Sequence, residues 1–271
     1  MSNIPPKGRT LVNALGIPGM LLMIWLGGIY FTLFMTLVIV LALKEFYELY
    51  REKGINASLP LGLAGAAFFI WFYHTDPYWN MLSFLQLAFA FVILALLVEL
   101  FSKKVNPAAN LAYTIFGIAY IPMLLGSLIA LRQIDMTYDT YYTFAVFVSV
   151  WICDSAAFGI GMKWGKKKIF PRVSPKKTIV GSVAGFLSVL IFFYVLEHFH
   201  LPSADFSLKD VIVFSIISGV FGQLGDFMES LFKRDVGVKD SGTFLKGHGG
   251  VLDRFDSLIF AASLTYFYFL F

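Results

Sequence analysis

Between two long apolar runs, residues 230–256 read SLFKRDVGVKDSGTFLKGHGGVLDRFD, with five basic residues, four aspartates, one histidine and five glycines. Aspartates offer hard oxygen ligands to cations, while basic side chains and glycine-rich backbone receive phosphate oxygens. Both in one hydrophilic segment between apolar stretches predict phosphoryl-transfer chemistry on a lipid. Asp253 and Asp256 stand three apart at the mouth of the last apolar run. There they either cap a helix and favour its N-terminal dipole, or aim two carboxylates at one Mg²⁺. That ion typically takes one or two carboxylates plus substrate phosphates. His248 lacks the partners of a zinc site and is assigned to phosphate contact or to holding the loop.

Three further acids, Asp154, Asp226 and Glu229, fall inside apolar runs. An ionised carboxylate at the centre of a membrane helix costs about 2.5–3.5 kcal/mol, so it is expected to face a cavity, a partner or an ion. A hydrogen bond to a neighbouring helix would explain one such acid equally well. Several acids converging on basic loops favour function. Gly222, Asp226, Glu229 and Lys233 recur on one helix face, with Ser230 beside them. Small-residue packing and a snorkelling lysine account for the glycines and Lys233, but not for the acids.

Upstream, Ser174-Pro175-Lys176-Lys177-Thr178 predicts a helix start, with Ser174 as N-cap and Pro175 at N1. Free N–H groups at such a start receive phosphate, and two lysines with a hydroxyl suit a triphosphate. Lys166–Lys168 are read as topology anchors. There is no Gly-x-x-x-x-Gly-Lys-Ser/Thr, and Gly159-Ile-Gly161 lacks the third glycine of a dinucleotide fingerprint.

The elements that must position these groups are membrane helices. Of 271 residues, 58% are hydrophobic and only 14% charged, against about 25% charged in soluble domains. Mean hydropathy is +0.76. A spanning helix needs about 20 mostly apolar residues. Nine candidates follow: Leu11–Leu26, Ile29–Leu43, Leu59–Tyr73, Met81–Phe101, Leu111–Leu131, Tyr141–Met162, Ile179–Leu196, Val211–Phe232 and Leu258–Phe271. The alternation of a membrane β-barrel is missing. The expected fold is an all-α polytopic membrane protein with about nine transmembrane helices. A cytoplasmic N-terminus places 19 of the 21 Lys and Arg residues on the inner side, leaving Arg132 and Lys209 outside. The first apolar run has no small-x-small cleavage site and is read as a retained helix.

One membrane-embedded domain is expected, with residues 1–140 mainly scaffold and 141–271 carrying the chemistry. Lone Cys153 excludes internal disulfides and multi-cysteine zinc sites. The +4 net charge reads as topology, and no basic–aromatic array of a nucleic-acid module is present. The pairs Gly161/Gly165 and Gly181/Gly185 predict close helix packing, within one subunit or in a homodimer.

In order, Ser230, Lys233-Arg234, Lys239-Asp240, His248-Gly249-Gly250 and Asp253-Arg254-Phe255-Asp256 closely resemble the signature of the phosphatidate cytidylyltransferase (CDP-diacylglycerol synthase) family. Gly225-Asp226-x-x-Glu229-Ser230, Ser174–Thr178 and Asp154 with Ala157-Phe158 and Gly161 also look like the family's. The resemblance covers roughly the C-terminal half, and so long an ordered pattern is specific. Two positions depart from it: Val180 stands where the family usually has glutamate, and Lys246 where it usually has proline.

The resemblance implies a multi-pass enzyme of the inner (cytoplasmic) membrane whose site faces the cytoplasm. It would convert CTP and phosphatidate to CDP-diacylglycerol and pyrophosphate, with Mg²⁺ and a possible K⁺ as cofactors. On this reading Asp226 and Asp253 are the first metal ligands, from separate helices expected to meet at one cation. Asp256 and Asp240 assist, and Asp154 is a second-tier ligand or orients a lysine. Ser174 belongs to the segment in which Lys176, Lys177 and Thr178 hold the triphosphate. Lys233, Arg234, Lys239 and Arg254 serve either phosphate group. A CTP-dependent polyprenol kinase is the rival enzyme, disfavoured by Asp-Arg-x-Asp. An ion-coupled transporter predicts repeated halves or paired broken helices, and the uneven spread of polar groups argues against it.

Overall fold

The computed structural model describes residues 6–75, 81–200, 207–242 and 249–270. Helix covers each predicted apolar run to within a residue at its ends: α1 (Pro6–Leu26), α2 (Gly28–Arg51), α3 (Leu59–Thr75), α4 (Met81–Leu100), α5 (Pro107–Ile118), α6 (Leu124–Tyr138), α7 (Tyr142–Trp164), α8 (Ile179–His198), α9 (Leu208–Ile216), α10 (Gly222–Asp235) and α11 (Leu252–Leu270). Single π turns join α5 to α6 (Ala119–Met123) and α9 to α10 (Ile217–Phe221). Among the described residues, extended pairing is limited to one isolated bridge, Lys168–Thr178.

Among the described residues, five helices are long and apolar enough to cross a membrane: Gly28–Arg51, Pro107–Tyr138, Tyr142–Trp164, Ile179–His198 and Leu208–Asp235. Shorter apolar helices accompany them. The most apolar window of α8 is only 22% buried within the protein, and Val183, Leu187, Ile191 and Tyr194 stand exposed on it. A helix apolar on all sides yet so little covered needs a lipid surround. The chain is a multi-pass membrane protein.

The chain divides into two compact units. The first comprises residues 1–133 and 240–254. Its core runs along one face of α2, where Phe31, Met35, Ile39, Leu43 and Phe46 are fully buried. Tyr47 beside them donates its hydroxyl hydrogen to the Thr114 carbonyl at 2.8 Å. Arg132, one of two basic residues predicted outside, donates through Nε to the Ile24 carbonyl at 2.6 Å. A cation thus satisfies a carbonyl that the end of α1 leaves without an intrahelical partner.

The second unit comprises residues 134–239 and 255–269. Ala145, Cys153, Val189, Phe193, Val211 and Phe214 form its apolar cluster. A glycine seam sets α7 against α8. A Cβ at Gly181 would stand 2.5 Å from the Ala157 carbonyl oxygen, and one at Gly185 2.9 Å from Cys153 Sγ. Both Gly-x-x-x-Gly pairs are therefore used inside the subunit. At the second π turn, the Gly219 carbonyl accepts from Gln223 Nε2 at 2.5 Å, and the same amide reaches the Ser182 carbonyl at 3.1 Å. The widened turn is thereby tied to α8.

Candidate functional site

The segment between α7 and α8 folds back on itself. The Ile169 amide donates to the Lys177 carbonyl (3.3 Å), and the Ile179 amide to the Lys167 carbonyl (3.0 Å). This pairing keeps the chain extended through Thr178, whose φ is −120° and ψ 153°. The helix therefore begins at Ile179, and Thr178 is its N-cap, its Oγ1 accepting the Gly181 amide at 3.1 Å. That corrects the expected start at Ser174-Pro175. Ser174 lies before a turn and its amide donates to the Phe170 carbonyl at 2.9 Å. Gly165 leaves room for the cap, because a Cβ there would collide with Thr178 Oγ1.

Lys177, one residue before the cap, is drawn inward. Its ammonium pairs with Asp226 on α10 and lies 4.7 Å from the centroid of the Phe227 ring. Phe170 packs edge-on against that ring at 5.0 Å. Ser230 donates to the other Asp226 oxygen at 3.4 Å. Gly225 lets α11 lie alongside α10, since a Cβ there would stand 2.6 Å from the Asp256 carbonyl oxygen. Asp256 consequently feels the charges of Asp226, Asp154 and Lys177, and Asp154 on α7 feels those of Lys177 and Asp226. Three carboxylates thus share one neighbourhood with one ammonium. Ionised, they carry a negative excess that a bound cation would relieve. Among the described residues, no group of three or more His, Cys, Asp and Glu is arranged to hold a metal by itself.

The polar stripe of α10 divides. Asp226 meets Lys177, whereas Lys233 pairs with Glu229 one turn away on its own helix. Arg234 braces two loop carbonyls, donating through Nε to Val173 at 3.3 Å and through Nη1 to Val238 at 2.9 Å. Lys176 and Lys239 are exposed, and the Lys176 carbonyl accepts from Lys168 Nζ at 3.3 Å. Val180 is exposed in the first turn of α8, which carries no acid.

Asp253 belongs to the first unit, as do Asp240 and Arg254; Asp226 and Asp256 belong to the second. Asp240 and Arg254 are exposed. Asp253 Oδ2 accepts the Ser241 amide (3.0 Å), the Ser241 hydroxyl (3.1 Å) and the Gly250 amide (2.6 Å). Gly249 has a φ of +79°, and a Cβ on it would strike the same carboxylate. The glycine after the histidine is thus required by its left-handed backbone and by the space Asp253 takes. His248 and Lys246 lie outside the described residues.

Sequence reasoning missed Glu45 of α2. It is buried and accepts the Val251 and Leu252 amides at the start of α11, each at 2.9 Å. Its only sequence signal is an acid just beyond the second apolar run, Ile29–Leu43, in the half of the chain read as scaffold.

Comparison with known proteins gives a consistent set of matches. The model of the cytidylyltransferase family matches residues 7–271. The phosphatidate cytidylyltransferase of Staphylococcus haemolyticus is 35% identical over 264 residues, covering 95% of this chain and 96% of the relative. Those of Staphylococcus aureus (strain COL) and Bacillus subtilis are 32% identical over 261 and 270 residues, with equally full coverage.

Proposed function

The chain belongs to the cytidylyltransferase family, and from that premise we propose that it transfers cytidylate from CTP to phosphatidate. A phosphatidate oxygen forms the new bond to the α-phosphorus of CTP, the bond to the β-phosphate bridging oxygen breaks, and pyrophosphate leaves. The products are CDP-diacylglycerol and pyrophosphate. Phosphomonoesters have a second pKa of about 6, so the nucleophile is already anionic and needs no strong base. What remains is to bring two polyanions together and align them.

The observation that carries the site assignment is Lys177 held against Asp226, with Asp154 and Asp256 in the same charge neighbourhood. The donor set fits Mg²⁺: hard carboxylate oxygens, too few to complete a shell without phosphate and water. Asp226 and Asp256 would hold it, with Asp154 behind them, and the ion supplies charge neutralisation on the triphosphate. Asp253 is proposed as a further ligand on the strength of its motif. Lys177, released from Asp226, turns to the triphosphate at the capped start of α8, where free N–H groups also receive it. Lys176 joins it there. Arg234 keeps the loops before α8 and after α10 in place.

The substitution Asp226→Asn tests this assignment. It should lower lipid cytidylation by about 100-fold or more, as removal of a charge-stabilising group does, and raise the Mg²⁺ needed for half-maximal rate. Wild-type turnover and Mg²⁺ response would remove Asp226 from the site.

The distribution of basic residues supports nine crossings with the N-terminus in the cytoplasm, and hence an inner-membrane enzyme taking CTP from the cytoplasm. Phosphatidate enters laterally from the bilayer. With Gly161, Gly165, Gly181 and Gly185 packed within the chain, no dimer contact is assigned to them.

A further inference from the structure

Glu45 lies on α2, and only 6% of it is exposed. A buried carboxylate persists only where hydrogen bonds replace its water. Its donors come from about 200 positions further along the chain. Oε1 accepts the Val251 amide and Oε2 the Leu252 amide, each at 2.9 Å. These are N–H groups that a helix start leaves without intrahelical partners, at the positive end of its dipole. The Ser241 hydroxyl lies 3.4 Å from Glu45 Oε2 and 3.1 Å from Asp253 Oδ2. It carries one proton between two carboxylates. Two glycines make the approach possible: a Cβ on Gly250 would collide with Glu45 Oε2 and Ser241 Oγ, and one on Gly242 would stand 2.8 Å from Glu45 Oε1.

We propose that Glu45 is a positioning residue for Asp253. Its carboxylate fixes the first amides of α11 and the Ser241 hydroxyl, and those groups set the orientation of the Asp253 carboxylate. The inference rests on the assignment of Asp253 as a metal ligand made above. It gives a role in the reaction to a helix otherwise read as scaffold. It also explains why Gly250 and Gly242 flank the loop on both sides.

Glu45→Gln keeps the size of the side chain but must turn an NH₂ toward one of two backbone N–H donors. In the metal-free protein, amide hydrogen exchange at Val251 and Leu252 should accelerate. In the loaded enzyme, kcat should fall by about 10- to 100-fold, the range for groups that orient metal ligands. The Mg²⁺ required for half-maximal rate should rise while KM for phosphatidate holds. Glu45→Asp, which keeps charge and both acceptor oxygens, should recover part of the loss. A merely structural role would reduce the active fraction without moving the Mg²⁺ response.

Unchanged exchange and unchanged Mg²⁺ response in Glu45→Gln would overturn the proposal. Should that variant fail to fold, Ser241→Ala decides. It removes only the hydroxyl between the two acids and should shift the Mg²⁺ response in the same direction; a wild-type response there overturns the proposal. Asp253→Asn, measured alongside, separates the two levels. Full activity in that variant would sink the ligand assignment itself, whereas its inactivity beside a wild-type Glu45→Gln would sink the positioning role alone.

Discussion

Lys177 occupies a position that no pattern of spacing singles out from Lys176, yet the two differ completely. Lys177 is half-buried, paired with Asp226 and set over the Phe227 ring, whereas Lys176 is exposed. The difference arises from the backbone around Thr178. The pairing of residues 167–169 with 177–179 takes in Lys177, whereas Lys176 still lies in the turn before it. Lys177→Met should therefore reduce turnover by about 100-fold or more and leave the protein folded in detergent, while Lys176→Met should cost far less. Steady-state rates on CTP for the two variants check this; equal losses would contradict it.

The same residue scale shows what sequence could supply. Asp154, Asp226 and Asp256 stand out in the sequence because acids inside or beside apolar runs are costly enough to demand a reason, and the structure sets all three near Lys177. Ser174 as the helix cap was wrong, because the backbone pairing of residues 167–169 with 177–179 is not local to the motif. The sequence pattern groups Lys233 and Arg234 with the phosphate-binding cations, whereas in the structure Lys233 pairs with Glu229 and Arg234 donates to the Val173 and Val238 carbonyls. Glu45 was out of reach, since its partners lie about 200 residues away.

At the scale of elements, the helices themselves were readable from apolar run length alone. The interruptions were not. Pro122 sits within the first π turn, where the wider turn accommodates a residue that has no N–H to donate. The second π turn precedes Gly222 and Gly225, the face of α10 that approaches α11. The close contact at Gly225 is what brings Asp256 into the field of Asp226. Gly225→Ala forces a methyl to within 2.6 Å of the Asp256 carbonyl oxygen, against backbone that cannot turn aside. It should lower the thermal midpoint, with a cost of about 1–3 kcal/mol typical of overpacking, and lower turnover more steeply than Gly222→Ala, where the nearest atom is 3.7 Å away. A thermal scan and a rate measurement on both variants check this; an active, stable Gly225→Ala would show that the close approach is dispensable.

For the whole molecule, composition was decisive. An apolar chain with exposed Leu, Ile and Val along α4 and α8 has lipid as its solvent, and the skew of basic residues supports the orientation proposed above. Because Cys153 is the single cysteine and is buried, replacing it by Ala gives a background for probing sidedness. Cysteines introduced at Lys103 and Lys209 in that background should react with an impermeant maleimide from the cytoplasmic and the outer side respectively. Labelling of both from one side would reject the proposed topology.

The central claim is that cytidylate itself moves onto the lipid. Purified chain, Mg²⁺ and phosphatidate should be given CTP labelled at either the α- or the γ-phosphorus. The account predicts that α-label appears in the lipid while γ-label leaves as pyrophosphate. Transfer of γ-label to the lipid with release of CDP would contradict it.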